Sequence, residues 1–259
     1  MKKIATYSIA ALAGIFLLSA CTATTAHKEG ASAHHGKHWG YSAEVGPKHW
    51  SALNEKFHMC SEGQQQSPIN LVPSTDVDLA ALNINYNAGS KSEINNGHTV
   101  QVNIKSGNTL TIDGTTFELK QFHFHTPSEN HIKGESFPME AHFVHASKDG
   151  KLAVIAVMIK EGAKNPTLNM VLKNFPLTVN KDTKLEFSKE YLNVMLPESL
   201  DYYEFMGSLT TPPCSEQVRW VVLKTPITAS KEQIAAMHQE IGMDNNRPIQ
   251  ATNKRSIEE

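Results

Sequence analysis

Three cysteines in 259 residues, at positions 21, 60 and 214, are too few and too scattered to build a closed thiolate metal site. Charge of one sign is missing too: 24 basic residues against 26 acidic ones leave a net charge of −2, without a polybasic run. A chain so balanced has no broad electrostatic pull on nucleic acid. Long apolar runs are also lacking. The apolar stretch at residues 4–18 is shorter and more weakly flanked than a stable membrane span requires. No internal repeat is visible, so the chain is not a repeat array.

What is present points to export and one folded body. Lys2 and Lys3 precede the apolar stretch, which is the layout of a secretory signal. Leu18-Ser19-Ala20-Cys21 then resembles the lipobox of bacterial lipoproteins, where the cysteine is lipidated and becomes the mature N-terminus. Cleavage at a later small-residue site, after Ala26, is the alternative. The signal therefore covers residues 1–21. Residues 22–37 are small, polar and sprinkled with histidine, the composition of a tether. From 38 to 259 the texture is globular, and a chain that is 40% hydrophobic and 19% charged can bury a substantial core. Setting Cys21 aside leaves an even pair, as an oxidising compartment favours, so a Cys60–Cys214 disulfide is expected, two separate buried thiols being the alternative. The periplasm or cell envelope is the expected location, with membrane contact only through a lipid on Cys21.

Several segments alternate apolar and polar residues in the manner of half-buried strands: residues 99–104, 109–112, 116–125, 140–145, 152–159 and 217–223. Helical patterns are few and short, at 50–56, 168–175 and 231–240, the last behind the cap Thr228-Ala229-Ser230. Strands dominate and helices decorate. The expected class is α+β, built on a large, mostly antiparallel sheet.

The segment Gln121-Phe122-His123-Phe124-His125 carries the chemistry. On a strand, residues two apart share a face, so His123 and His125 project together while the phenylalanines enter the opposite layer. A lone H-x-H is weak, but Glu140-Ala141-His142 sets a third imidazole seventeen residues after His125, room for an excursion that returns antiparallel. Three neutral imidazoles with one open position describe a catalytic zinc site, and one Zn²⁺ per chain is expected. Ligating histidines need an acceptor on the second nitrogen, and Gln121 and Glu140, each two residues before a ligand, are placed for that work. A packed polar seam without metal is the alternative, a costly one for three desolvated rings. Other H-x-H metal families fit worse: Pro127 stands where a metallo-β-lactamase carries aspartate, and a cupin would use the glutamate as a ligand.

With these residues in view the chain resembles the α-carbonic anhydrases. His38-Trp39-Gly40-Tyr41, Gln66-Ser67-Pro68-Ile69-Asn70, Asn95-Asn96-Gly97-His98, the two histidine segments and Gly207-Ser208-Leu209-Thr210-Thr211-Pro212-Pro213 follow the family order across residues 38–259, the expected catalytic domain. The resemblance implies a twisted sheet of about ten strands with zinc in a central cone. It implies zinc ligands His123, His125 and His142, oriented by Gln121, Glu140 and the Asn245 carbonyl. Thr210 is implied as gatekeeper, donating to Glu129, with His98 as proton shuttle. Val144, Val154, Leu209, Val218, Trp220 and Thr211 are implied to line the carbon dioxide pocket. Ser67-Pro68 and Pro212-Pro213 are expected cis. Phe205, where many animal members have tyrosine, and Asn246, where tryptophan is common, depart from the pattern.

The implied activity is reversible hydration of carbon dioxide to bicarbonate and a proton through zinc-bound hydroxide, with carbon dioxide, bicarbonate and water as partners. Histidine suits proton export because its pKa lies near 6.5. A catalytically silent surface binding protein and a zinc esterase are the rival readings. Homodimer formation stays open, and His49, His58, His131 and His145 are expected to be structural or surface residues.

Overall fold

Alternation at every second position builds most of this molecule, because a strand with one buried face needs an apolar residue at each second site. The structure, a computed structural model, describes residues 38–259; the expected signal, Cys21 and the tether lie outside the described residues. Strands β1 (Asn70–Leu71), β2 (Asn83–Tyr86), β3 (Ser90–Asn95), β4 (Val100–Ile104) and β5 (Asn108–Ile112) come first. Then follow β6 (Thr115–His125), β7 (His131–Ile132), β8 (Met139–Ser147), β9 (Leu152–Glu161) and β10 (Thr183–Lys184). The last are β11 (Tyr202–Ser208), β12 (Glu216–Leu223) and β13 (Ile227–Ala229). The helices are short: α1 (Trp50–Leu53), α2 (Met59–Glu62), α3 (Pro166–Val171), α4 (Lys189–Asn193) and α5 (Lys231–Ile241).

Among the described residues eleven strands form one sheet, in keeping with the expected size, and its main path runs β10-β3-β4-β6-β8-β9-β12-β11. The pairings are antiparallel except that β12 and β13 run parallel to β9. Strand β9 reads Leu-Ala-Val-Ile-Ala-Val-Met-Ile, apolar without alternation, because it is buried on both faces. Ala153, Ile155 and Val157 join Phe122, Phe124, Phe143, Leu168, Val171, Met237 and Ile241 in the larger core. Val154, Ala156 and Met158 join Ile69, Leu71, Phe205, Val218 and Trp220 on the other face. Each fully buried phenylalanine contributes about 1.5–3 kcal/mol by leaving water.

Near the end of β11 the register shifts between Gly207 and Ser208. A side chain at 207 is excluded, since its Cβ would lie 2.2 Å from Ser67 Oγ and 2.8 Å from Trp220 Cδ1. The close approach lets Ser67 and Ser208 exchange hydrogen bonds: Ser67 N donates to Ser208 Oγ at 2.9 Å, and Ser208 N to Ser67 Oγ at 3.1 Å. Residues 208–211 are thereby fixed beside the Ser67–Pro68 turn. That bond is cis, as are Pro212–Pro213, Thr126–Pro127 and Phe175–Pro176. Cys60 and Cys214 are joined in a disulfide and pack with the buried Trp50.

Candidate metal centre

The antiparallel register of β6 and β8 sets His123 opposite His142 and His125 opposite Glu140. All four side chains leave the sheet on the face away from Phe122, Phe124 and Phe143. The three imidazole rings converge, with centroids 5.1 Å apart for His123 and His125, 5.4 Å for His123 and His142, and 4.6 Å for His125 and His142. One nitrogen from each ring lies within 4.8 Å of the others.

The neighbours of each ring decide which nitrogen faces inward. Gln121 Oε1 lies 2.9 Å from His123 Nδ1, and the Asn245 carbonyl 2.8 Å from His125 Nδ1. Glu140 Oε1 lies 2.9 Å from His142 Nε2. That leaves Nε2 of His123, Nε2 of His125 and Nδ1 of His142 as the free donors. Burial, and then the other rings, hold His123 well below its ordinary pKa; burial also lowers His125, against the Asn245 carbonyl and Glu140. Neutral imidazoles are what a metal requires. The His125 Nε2 is buried with no hydrogen-bond partner, the expected mark of a donor that waits for a metal. The donor set therefore fits zinc with an open coordination position.

Glu140 is itself braced. Its Oε2 accepts the backbone N–H groups of Glu129 and Asn130 at 2.7 and 2.9 Å, and its Oε1 accepts Asn130 Nδ2 at 2.8 Å. Burial works against the ionised carboxyl, yet His142 and Asn130 prevail and hold its pKa below the usual range. Sequence reasoning missed Asn130, since nothing in Ser-Glu-Asn-His distinguishes it from a loop residue.

Glu129 sits on the segment between β6 and β8, with Oε2 3.4 Å from His125 Nε2 and Oε1 accepting Arg247 N at 2.8 Å. Burial pushes its carboxyl up to about 7, opposed by His142, the Arg247 N–H and the Thr210 hydroxyl. Thr210 is buried on the segment that follows β11. Arg247 was also missed. Its guanidinium, fully buried, donates to Gln66 Oε1, the Ser67 carbonyl and the Cys60 carbonyl at 2.8, 2.8 and 2.9 Å.

Val154, Val218 and Trp220 are buried on the histidine face, and Val144 and Leu209 pack against them. Trp220 sets its ring edge-on to His142, with centroids 4.9 Å apart. An apolar wall therefore adjoins the metal centre, and Thr211 follows Thr210 half-buried at its side. His98 stands apart from the ligand cluster, its ring stacked on Trp39 at 3.6 Å and on His38 at 4.9 Å. Burial, and then His38, lower its pKa to about 4. The block His38-Trp39 carried no signal of that contact before the fold was known. Of the remaining histidines, His145 is buried with Nε2 2.8 Å from the Tyr86 hydroxyl; His49 and His58 are exposed, and His131 half-buried on β7.

A family model for the eukaryotic-type carbonic anhydrases matches residues 45–259. The carbonic anhydrase of Pectobacterium atrosepticum is 46% identical over 243 residues, which cover 93% of this chain and 96% of that protein. The Neisseria gonorrhoeae carbonic anhydrase is 45% identical over 242 residues, 93% and 94% of the two chains. Among solved structures, the α-carbonic anhydrase of Thermovibrio ammonificans in complex with the inhibitor sulfanilamide is similar with a TM-score of 0.83. It is 42% identical, and the match covers 86% of this chain and all of that one. Likeness of this extent in sequence and in fold, around three imidazoles already turned to receive a metal, makes the chain a member of the α-carbonic anhydrase family.

Proposed function

We propose that the chain is a zinc enzyme that reversibly hydrates carbon dioxide to bicarbonate, with His123, His125 and His142 as the metal ligands. The observation that carries this reading is the set of three inward nitrogens left by the Gln121, Asn245 and Glu140 contacts. Bound zinc supplies Lewis acidity that brings the pKa of a coordinated water to about 7, a figure itself drawn from carbonic anhydrases. Three uncharged ligands leave that acidity undiminished, where a carboxylate ligand would blunt it.

The other residues have separate tasks. Thr210 donates a hydrogen bond from its hydroxyl to Glu129, so its oxygen presents a lone pair to the cavity and acts only as an acceptor there. Val144, Val154, Leu209, Val218 and Trp220, with Thr211 at the edge, hold carbon dioxide, which has no charge to offer a polar wall. His98 passes the proton to buffer. Against Trp39 and His38 its pKa of about 4 is too low to accept a proton at neutral pH, so it accepts with the ring turned to water, near the ordinary 6.5. The Cys60–Cys214 disulfide supports an oxidising compartment. Residues 1–21 serve as the export signal and Cys21 as the lipidated residue, which mass spectrometry of the membrane-extracted protein checks.

The experiment is stopped-flow hydration of carbon dioxide by the zinc-loaded protein. Hydration well above buffer, inhibited by sulfanilamide, is expected; hydration no faster than buffer would leave the surface-binding reading standing. Gln121→Ala is expected to weaken zinc affinity about 10–100-fold, the usual effect of removing a partner of a ligating histidine. Unchanged affinity would remove Gln121 from the centre.

A further inference from the structure

Glu240 occupies the last turn of α5, the wrong end of a helix for a carboxylate, because the macrodipole is negative there. A second carboxylate, buried Glu93, stands near enough for the two to repel. Neither circumstance favours an acid at 240 for the helix's own sake, so what it bonds outside the helix has to offset them.

Those bonds lead to one place. Asn95, the last residue of β3, donates its side-chain amide to the Glu240 carbonyl at 2.9 Å and to Glu240 Oε1 at 3.1 Å. Its own Oδ1 accepts Gly97 N at 3.0 Å. Asn96 Oδ1 accepts the N–H groups of His98 and Thr99, each at 3.0 Å. Gly97 adopts φ +83°, which closes the turn and which a side chain would resist. Beyond it, Asn245 Nδ2 donates to the His98 carbonyl at 3.0 Å. The same Glu240 Oε1 accepts Leu177 N at 3.0 Å, which ties the neighbouring loop to the same point. The turn that carries His98 thus takes one of its outside supports from this carboxylate, beside the Glu240 carbonyl and Asn245, and none of the contacts described for the carboxylate is with a zinc ligand.

We infer that Glu240 is a positioning residue for proton export, acting through Asn95 on the turn that carries His98. The inference rests on the reading of His98 as the shuttle. A charge-assisted bond from the Asn95 amide holds the turn more firmly than a neutral one. Removal of the carboxylate leaves the Asn95 amide with the Glu240 carbonyl alone and loosens the turn, and the imidazole then spends less time where it can take a proton.

The test uses the zinc-loaded full chain, with kcat and kcat/KM for carbon dioxide hydration measured in dilute and concentrated buffer. Glu240→Ala is expected to lower kcat in dilute buffer several-fold and leave kcat/KM unchanged. Added imidazole is expected to restore turnover, and Glu240→Gln, which keeps an acceptor oxygen, to recover most of it. In a His98→Ala background the same change is expected to cost nothing further. Full turnover in Glu240→Ala, a proportional loss of kcat/KM, or a loss additive with His98→Ala would each overturn the inference. Asn95→Asp, which keeps Oδ1 for Gly97 but sets carboxylate against carboxylate, gives the same readout if Glu240→Ala does not fold. Normal turnover in His98→Ala alone would instead remove the shuttle reading, a result distinguishable from a slow His98→Ala beside a fully active Glu240→Ala.

Discussion

Glu93 accepts Asn174 Nδ2 at 2.6 Å with one carboxylate oxygen, while the other is buried without a donor. Burial raises its pKa to about 7, Asn174 pulls it down, and Glu240 pushes it further up. A carboxyl whose pKa is higher in the folded chain favours folding while protonated and works against it once ionised. Its cost therefore appears as pH rises above about 4.5 and is complete above about 7. Glu93→Gln keeps the oxygen that Asn174 needs and removes the charge. It is expected to gain about 1–2 kcal/mol above neutrality, a figure discounted for solvent screening, and little in acid. Urea unfolding at the two pH values checks this, and an equal gain at both would contradict it. At this scale the sequence spoke unevenly. His123, His125 and His142 were legible because a strand's period of two makes H-x-H a statement about one face. Arg247 was not, because its partners at Cys60, Gln66 and Ser67 lie some 180 residues away in the chain.

Among the elements, those with one clean face were the readable ones. Val100–Ile104 and Asn108–Ile112 show a strict alternation of buried and half-buried sites and appear in the chain as alternating patterns. Strand β3 does not: it reads Ser-Lys-Ser-Glu-Ile-Asn, and four of its polar side chains are buried, so hydropathy hides it. Strand β13 is three residues long, too short for a period to show. Helix α5 was legible from its cap. Ser230 accepts Gln233 N, and Gln233 Oε1 returns to Ser230 N at 3.0 Å and also accepts Asn165 N at 2.8 Å. Ser230→Ala is expected to cost about 1 kcal/mol, as a lost cap does. Gln233→Ala is expected to cost more, about 2–3 kcal/mol, because it strands the buried Asn165 N–H at the start of α3. Thermal or urea unfolding of the two variants orders them, and the reverse order would mean that the α3–α5 link carries no weight.

For the molecule as a whole, the disulfide is the longest covalent closure, with Cys60 and Cys214 separated by 154 positions. On the chain-entropy account such a loop restricts the unfolded state by roughly 4–5 kcal/mol. Reduction, or Cys60→Ala with Cys214→Ala, is expected to lower the unfolding free energy by up to that amount. Urea titration with and without reductant measures it, and coincident curves would show that the bridge constrains nothing. The sheet's class followed from the alternating segments and its strand number from the family resemblance, but its parallel pairs from neither, since no local pattern states which strand will lie beside β9.

The braces of the metal centre come from the far end of the chain: the carbonyl that orients His125 belongs to Asn245 and the amide that holds Glu129 to Arg247. A ribosome that has translated as far as Ser230 has already made all three ligand histidines, yet neither of these supports. A chain that stops at Asp244 therefore holds every ligand histidine and an unfinished centre.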